Sequence, residues 1–190
     1  MSDDDLAWET LDSRIDYACP GFDVRMDDVR LPDGTETDFH YVEEVETVVV
    51  LPFVADSARA DPDTPEVVCI EEWRQAVGRV NQGLPAGGVE GDDTDLHTAA
   101  VRELAEETGY EADSFERLCS VEPVNGIANS VHHVFVARGC RPTADRDLDF
   151  NESIRPVTRA YDDLLAAVRA DEVRDGRTVL AVSRYELGDD

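Results

Sequence analysis

The sequence predicts an α/β fold: a mixed β-sheet flanked by helices, preceded by a small antiparallel β meander. Three observations carry this. Residues 46–54 (ETVVVLPFV) are a nearly unbroken apolar run, as a strand buried on both faces requires. Residues 95–108 fit a helix opened by a capping side chain and closed by Gly109, where a left-handed residue ends the turn. Residues 13–44 alternate in strand fashion around Pro32-Asp33-Gly34, a hairpin signal.

Taken in order, strands are expected at Ile15–Cys19, Phe22–Leu31 and Thr35–Val42, and these form the meander, residues 1–44. The main domain, 45–190, opens with the 46–54 strand and continues with a strand over Glu66–Trp73 that ends at Arg74. Leu84-Pro85-Ala86-Gly87-Gly88 reads as a glycine-rich turn leading to the helix. Phe115–Val121 and Val131–Ala137 read as strands joined by residues 122–129, and Ser153–Val157 as a last short strand. Thr158–Ala170 is amphipathic, with Leu164, Leu165 and Val168 on its apolar side. Asp175-Gly176 breaks it before a final helix over Arg177–Glu186.

Composition narrows the function classes. Among 190 residues there are 44 acids against 17 basic residues, for a net charge of -27. Every basic residue is arginine. The acids are scattered along the chain rather than gathered in a tail, so the pattern fits a cytoplasm of molar salt, where the Debye length is only about 3 Å. A salt-accumulating halophile is the expected source. Nucleic acid is excluded as a partner by the missing basic footprint. No run reaches the ~20 apolar residues that a membrane span needs, and the N-terminus lacks the basic and apolar regions of a signal peptide. A soluble, cytoplasmic protein is expected. Cys19, Cys69, Cys119 and Cys140 form no CxxC pair. The last three lie in or beside apolar runs and read as core thiols. His132 and His133 sit within a strand, one turned inward and one outward, as packing and surface residues.

The chemistry concentrates in Arg102-Glu103-Leu104-Ala105-Glu106-Glu107-Thr108-Gly109-Tyr110. Asp95 or Thr94 can cap this helix. Glu103, Glu106 and Glu107 stand at i, i+3 and i+4 and share a face, while Val101, Leu104 and Thr108 are expected to point to the core. Carboxylates so close repel unless a cation sits among them, and hard oxygen ligands with room for water suit Mg²⁺ or Mn²⁺. Arg102, at i, i+4 to Glu106, can hold its carboxylate. A solvated acidic face is the competing reading of the glutamates alone.

With the glycine turn included, the stretch resembles the Nudix hydrolase signature, Gly-x5-Glu-x7-Arg-Glu-apolar-x-Glu-Glu-x-Gly-apolar. Gly88 fills its opening position and Arg102–Tyr110 its second half. Thr94 stands where the family has its first Glu, with Asp93 one residue early. Either Asp93 substitutes through a shifted loop, or that outer ligand is absent. Further segments are similar to ADP-ribose pyrophosphatases: Leu11–Gly34, Glu71–Gln75 followed by Leu84–Gly87, Ile127–Ala137, Asn151–Arg155 and Asp175–Thr178. The likeness covers about residues 8–185. It departs at Gly83, where the subfamily often has Glu, and at Pro123, which follows Tyr110 somewhat sooner than expected.

The resemblance implies a Nudix fold and a metal-dependent hydrolase of a nucleoside diphosphate linked to another moiety. ADP-ribose, giving AMP and ribose 5-phosphate, is the leading substrate. Another nucleotide sugar, a dinucleotide, or a non-catalytic nucleotide sensor are the alternatives. It implies metal ligation by Glu103, Glu106, Glu107 and the Ala86 carbonyl, with Glu106 and Arg102 in the catalytic machinery. Glu152 is the implied base, with Asp149 and Asp147 as rivals. Arg74, Gly88 and an aromatic wall from Tyr17 and Phe22 fall on the substrate side. The wall in the subfamily often comes from a second subunit, so a homodimer is expected.

Overall fold

The computed structural model describes residues 5–56, 63–150 and 152–188. Asn151, part of one matching segment, lies outside them. The chain divides into two compact units, Met1–Val45 with Glu122–Val131, and Glu46–Val121 with His132–Asp190.

The first unit is an antiparallel sheet, in the order β1 (Glu9–Cys19), β2 (Phe22–Arg30) and β3 (Glu36–Glu43). The expected Pro-Asp-Gly turn joins β2 to β3. Gly34 supplies the positive φ of 87° and the Asp33 carboxylate accepts the Thr35 N–H. Residues 122–131 belong to this unit rather than being a plain connection between two strands. Val42 donates to the Ile127 carbonyl at 2.8 Å, and Asn129 donates back to the Val42 carbonyl at 3.1 Å.

The second unit is a seven-stranded mixed sheet. Its strands are β4 (Thr47–Val54), β5 (Glu66–Arg74), β6 (Arg79–Gly83), β7 (Ala86–Gly88), β8 (Ser114–Val121), β9 (His132–Cys140) and β10 (Ile154–Ala160). The main order is β10-β5-β4-β9-β8. β4 runs parallel to β9, β6 pairs with β5, and β7 pairs with β4. The apolar run has become the central strand, and its period of two feeds two cores. Val48 and Val50 pack with Ala99, Ala100 and Leu104 of α1 (Leu96–Thr108) on one face. Val49, Leu51 and Phe53 pack on the other with Leu164 and Ala167 of α2 (Tyr161–Arg169) and Ala181 and Val182 of α3 (Gly176–Leu187).

Three expectations are corrected. Residues 79–83 and 86–88 are strands, although neither carries a strand pattern, because each is recruited by pairing to a stronger neighbour. Thr158–Ala160 continue β10, opposite Val68–Glu66 of β5, so α2 starts only at Tyr161. Val101 is 40% exposed: the buried stripe of α1 runs through Ala99, Ala100, Glu103, Leu104, Glu107 and Thr108, which leaves Val101 at its outer edge.

Cys69 and Cys140 are buried free thiols, both pushed up to about 12 chiefly by burial. His133 is buried and its Nδ1 lies 2.6 Å from the Ser120 hydroxyl, while His132 is only partly covered. Among the described residues, no helix is long and apolar enough to cross a membrane.

Candidate active site

The site is built on α1. Asp95, rather than Thr94, caps it, accepting the Thr98 N–H at 2.8 Å; Thr94 instead meets the Thr98 hydroxyl. At the far end Gly109 takes φ 77° and donates to the Ala105 carbonyl. Between these caps the helix carries two acids into the protein. Glu103 is 7% exposed and Glu107 2%. Burial, helped by neighbouring carboxylates and opposed by Arg102 at Glu103 and by the Ala86 amide at Glu107, raises the Glu103 carboxyl to about 7 and the Glu107 carboxyl to about 8.

The glycine turn is shaped around these acids. A Cβ on Gly87 would fall on the Glu103 carboxylate, so only glycine lets β7 pass this close. Ala86 donates its N–H to Glu107 Oε2 at 2.9 Å, Pro85 accepts from Val50 N–H at 2.9 Å, and Leu84 N–H reaches the Thr178 hydroxyl at 2.9 Å. Thr178 is itself fixed by Asp175, the cap of α3. Three consecutive residues are thus pinned from three elements, which immobilises the turn that carries the Ala86 carbonyl.

Arg102 is the hub of the outer half. Its Nη1 donates to Glu103 Oε1 at 2.7 Å and Glu106 Oε2 at 2.9 Å, and its Nη2 to the Gly88 carbonyl at 2.9 Å. Nε and Nη2 grip Asp93 in a fork, at 3.2 and 2.9 Å. This ion pair holds the Asp93 carboxyl below its ordinary value, and the surrounding acids raise the Arg102 pKa. Of residues 93 and 94, Asp93 is the one that pairs with Arg102. Gly88 is engaged through its carbonyl, as a brace for the same guanidinium.

The loop between β9 and β10 is lashed to the end of α1. Arg146 donates to the carbonyls of Glu107 and Ile154, at 3.1 and 2.6 Å, and Asp147 N–H donates to the Glu106 carbonyl at 3.2 Å. The bonds to Glu106 and Glu107 satisfy carbonyls that a helix end leaves unpaired. Glu152 closes the loop, exchanging hydrogen bonds with Asp149 through its N–H and its carboxylate, both at 3.0 Å. Its charge is among those that raise Glu72, Glu103 and Glu107, which puts it within electrostatic reach of the buried acids.

On β5, Arg74 is partly exposed and its Nη2 lies 2.7 Å from Glu72 Oε2. Glu72 had no role in the sequence reading. It is 8% exposed, and burial raises its pKa against the pull of Arg74 and Arg177. Tyr17 and Phe22 lie in the first unit, 58% and 40% exposed.

The donor set fits a divalent cation. Glu103 and Glu107 are hard oxygen donors held in the interior with less positive charge than they need: Arg102 reaches Glu103, but the bond recorded for Glu107 comes from a neutral amide. Among the described residues, no three acidic, histidine or cysteine side chains close into a ready cage.

Comparison with known proteins identifies the family. Residues 47–182 match the NUDIX domain model, and residues 8–42 match the nucleoside diphosphate sugar hydrolase N-terminal domain. The chain is 29% identical over 166 residues to the ADP-ribose pyrophosphatase of Bacillus subtilis, covering 87% of this chain and 85% of that protein. It is 28% identical over 165 residues to the methanol dehydrogenase activator of Bacillus methanolicus, covering 86% and 84%. A crystal structure titled as an ADP compounds hydrolase superposes with a TM-score of 0.79 at 19% identity, over 95% of this chain and 92% of the other, and shows the shared fold. With the NUDIX match spanning most of its length and the signature acids assembled on one helix, the chain belongs to the Nudix family.

Proposed function

We propose that this Nudix protein hydrolyses a nucleoside diphosphate linked to a second moiety, with ADP-ribose as substrate and AMP and ribose 5-phosphate as products. The observation that carries the reading is Glu103, Glu106 and Glu107 gathered beside the pinned Ala86 turn, with Arg102 holding two of them and Glu152 within electrostatic reach. The similarity to an ADP-ribose pyrophosphatase over most of both chains supports the choice of substrate. Mg²⁺, or Mn²⁺ in its place, held by the three glutamates and the Ala86 carbonyl, would supply positive charge against the diphosphate and make a water more acidic.

The chain's own residues do the rest. Arg74 binds a phosphate oxygen and fixes the diphosphate. Glu152 accepts the proton of the attacking water as its oxygen bonds to phosphorus and the bridging P–O bond breaks. Arg102 keeps Glu103 and Glu106 in place, an orienting task in a reaction that depends on position and charge. We assign residues 1–44 to dimerisation and to the substrate's aromatic wall, Tyr17 and Phe22, and place the protein in a salt-rich cytoplasm. The match of residues 8–42 to a nucleoside diphosphate sugar hydrolase domain, a class that includes ADP-ribose, keeps other nucleotide sugars as the second reading.

A substrate panel in molar KCl with Mg²⁺, read by product identity, tests this. AMP and ribose 5-phosphate formed from ADP-ribose faster than products from nucleotide sugars or dinucleotides is the expected result. Preference for a nucleotide sugar moves the assignment to the second class, and no turnover of any diphosphate overturns both.

A further inference from the structure

Glu72 is a buried carboxylate that the signature does not contain. On β5 the residues Val68, Ile70 and Glu72 share a face by strand alternation, and Arg74 continues it. Across the hairpin, β6 sets Asn81 opposite Glu72 and Arg79 opposite Arg74. Two arginines directly opposed on one sheet face repel, and each has a long, flexible side chain. Arg79 turns to the Asn81 carboxamide at 3.4 Å. Arg74 turns to Glu72 at 2.7 Å. Arg177, the other cation that acts on Glu72, lies 3.6 Å from Asp175. The backbone of Arg74 is also fixed, because its carbonyl accepts the N–H groups of Val77 and Gly78 in the turn that follows.

A negative charge beside a phosphate-binding arginine weakens the field the substrate meets. Near Glu107 and Glu152 it also adds repulsion. Its placement makes sense through what it does to Arg74. We infer that Glu72 is a positioning residue: it holds the Arg74 guanidinium in one orientation against the repulsion of Arg79, so that the arginine is set for the substrate's diphosphate before it arrives. This rests on the reading of Arg74 as a substrate-binding residue. Preorganisation of this kind strengthens binding by removing a side-chain ordering term, without adding any contact to the substrate.

The test is a double-mutant cycle with two readouts, KM for ADP-ribose hydrolysis and Kd for ADP by calorimetry. Arg74→Ala and Glu72→Ala should each weaken both by about tenfold, the worth of one charge-assisted hydrogen bond. The double variant should be no worse than Arg74→Ala alone, because Glu72 acts through Arg74. Glu72→Gln, which keeps an acceptor at the same reach but loses the charge, should fall between the wild type and Glu72→Ala. Glu72→Asp, which withdraws the charge by one methylene, should behave like Glu72→Ala and serves if that variant does not fold. Multiplying effects in the cycle, or tighter binding in both Glu72→Ala and Glu72→Gln, overturns the positioning role while leaving Arg74 as a ligand. If Arg74→Ala changes neither KM nor Kd, the assignment of Arg74 falls and this inference with it.

Discussion

At the scale of single residues, the site holds two acids in their least favourable place. Glu103 and Glu107 are buried and raised from an ordinary 4.5 to about 7 and about 8. The folded protein then binds more protons than the unfolded chain between about pH 4.5 and 8, so stability falls as pH rises through that window. A divalent cation among the carboxylates reverses the penalty and releases their protons. Mg²⁺ should therefore raise the unfolding midpoint more at pH 8 than at pH 5.5, against an EDTA control. Equal shifts at the two pH values would count against a site at these glutamates. Glu107→Gln keeps volume and removes charge. It should abolish turnover, as should Glu106→Gln, while raising the midpoint in EDTA at pH 8. Full activity in a folded Glu106→Gln/Glu107→Gln variant would sink the metal-site assignment. Glu152 has a different task, confined to the transition state. Glu152→Gln should lower kcat by roughly 10²- to 10⁴-fold with KM little changed, measured at saturating Mg²⁺ because the loss of charge can also weaken metal binding. If kcat stays near normal, the base lies elsewhere, and Asp149 is tested next.

At the scale of elements, the parts legible in the sequence were those whose causes are local. A cap at Asp95 or Thr94, the stop at Gly109, the i, i+3, i+4 acids and the Pro-Asp-Gly hairpin are each decided within a few residues. What stayed illegible is decided by pairing. Ala86–Gly88 has no strand propensity and becomes β7 because Val49–Thr47 present an edge to it. Asp93 could be placed near the site but not given a task, since its partner is nine positions along and reached through a loop. Glu72 looks like an ordinary strand acid until burial and the opposed arginines are seen. Val101 misled because the inward stripe of α1 is partly acidic, so apolar residues alone did not mark it. The β7–α1 contact gives a test of this element-level fit. Gly87→Ala would place a methyl group on the Glu103 carboxylate, which must swing away or push β7 off β4. We expect a folded protein with kcat/KM reduced at least about 10²-fold, as follows from misplacing a catalytic group by an ångström. Gly91→Ala, with open space around its Cβ, is the control and should leave activity unchanged. Equal activity in both variants would show that Glu103 need not lie against the turn.

At the scale of the whole molecule, the net charge bears on stability. With a net charge of -27, the folded protein repels itself strongly at low ionic strength. Molar KCl screens that repulsion, but it also screens ion pairs, and the two effects oppose. Pairs such as Arg30 with Glu9 and Glu36, or Arg14 with Asp28, are substantially exposed. Exposed pairs contribute only about 0–1 kcal/mol each, so their loss is small beside relief of the repulsion summed over the surface. The Arg102 network is better covered, at 20% exposure of its arginine, and is screened less. The unfolding midpoint at neutral pH should therefore climb with KCl up to molar concentrations, with the site's geometry intact. Near the isoelectric point of about 4.2 net repulsion vanishes, and the same salt series should flatten or turn downward. A midpoint at pH 7 that is flat or falls with KCl would mean that the acidic surface is not adapted to salt, and the reading of a salt-rich cytoplasm would fall with it.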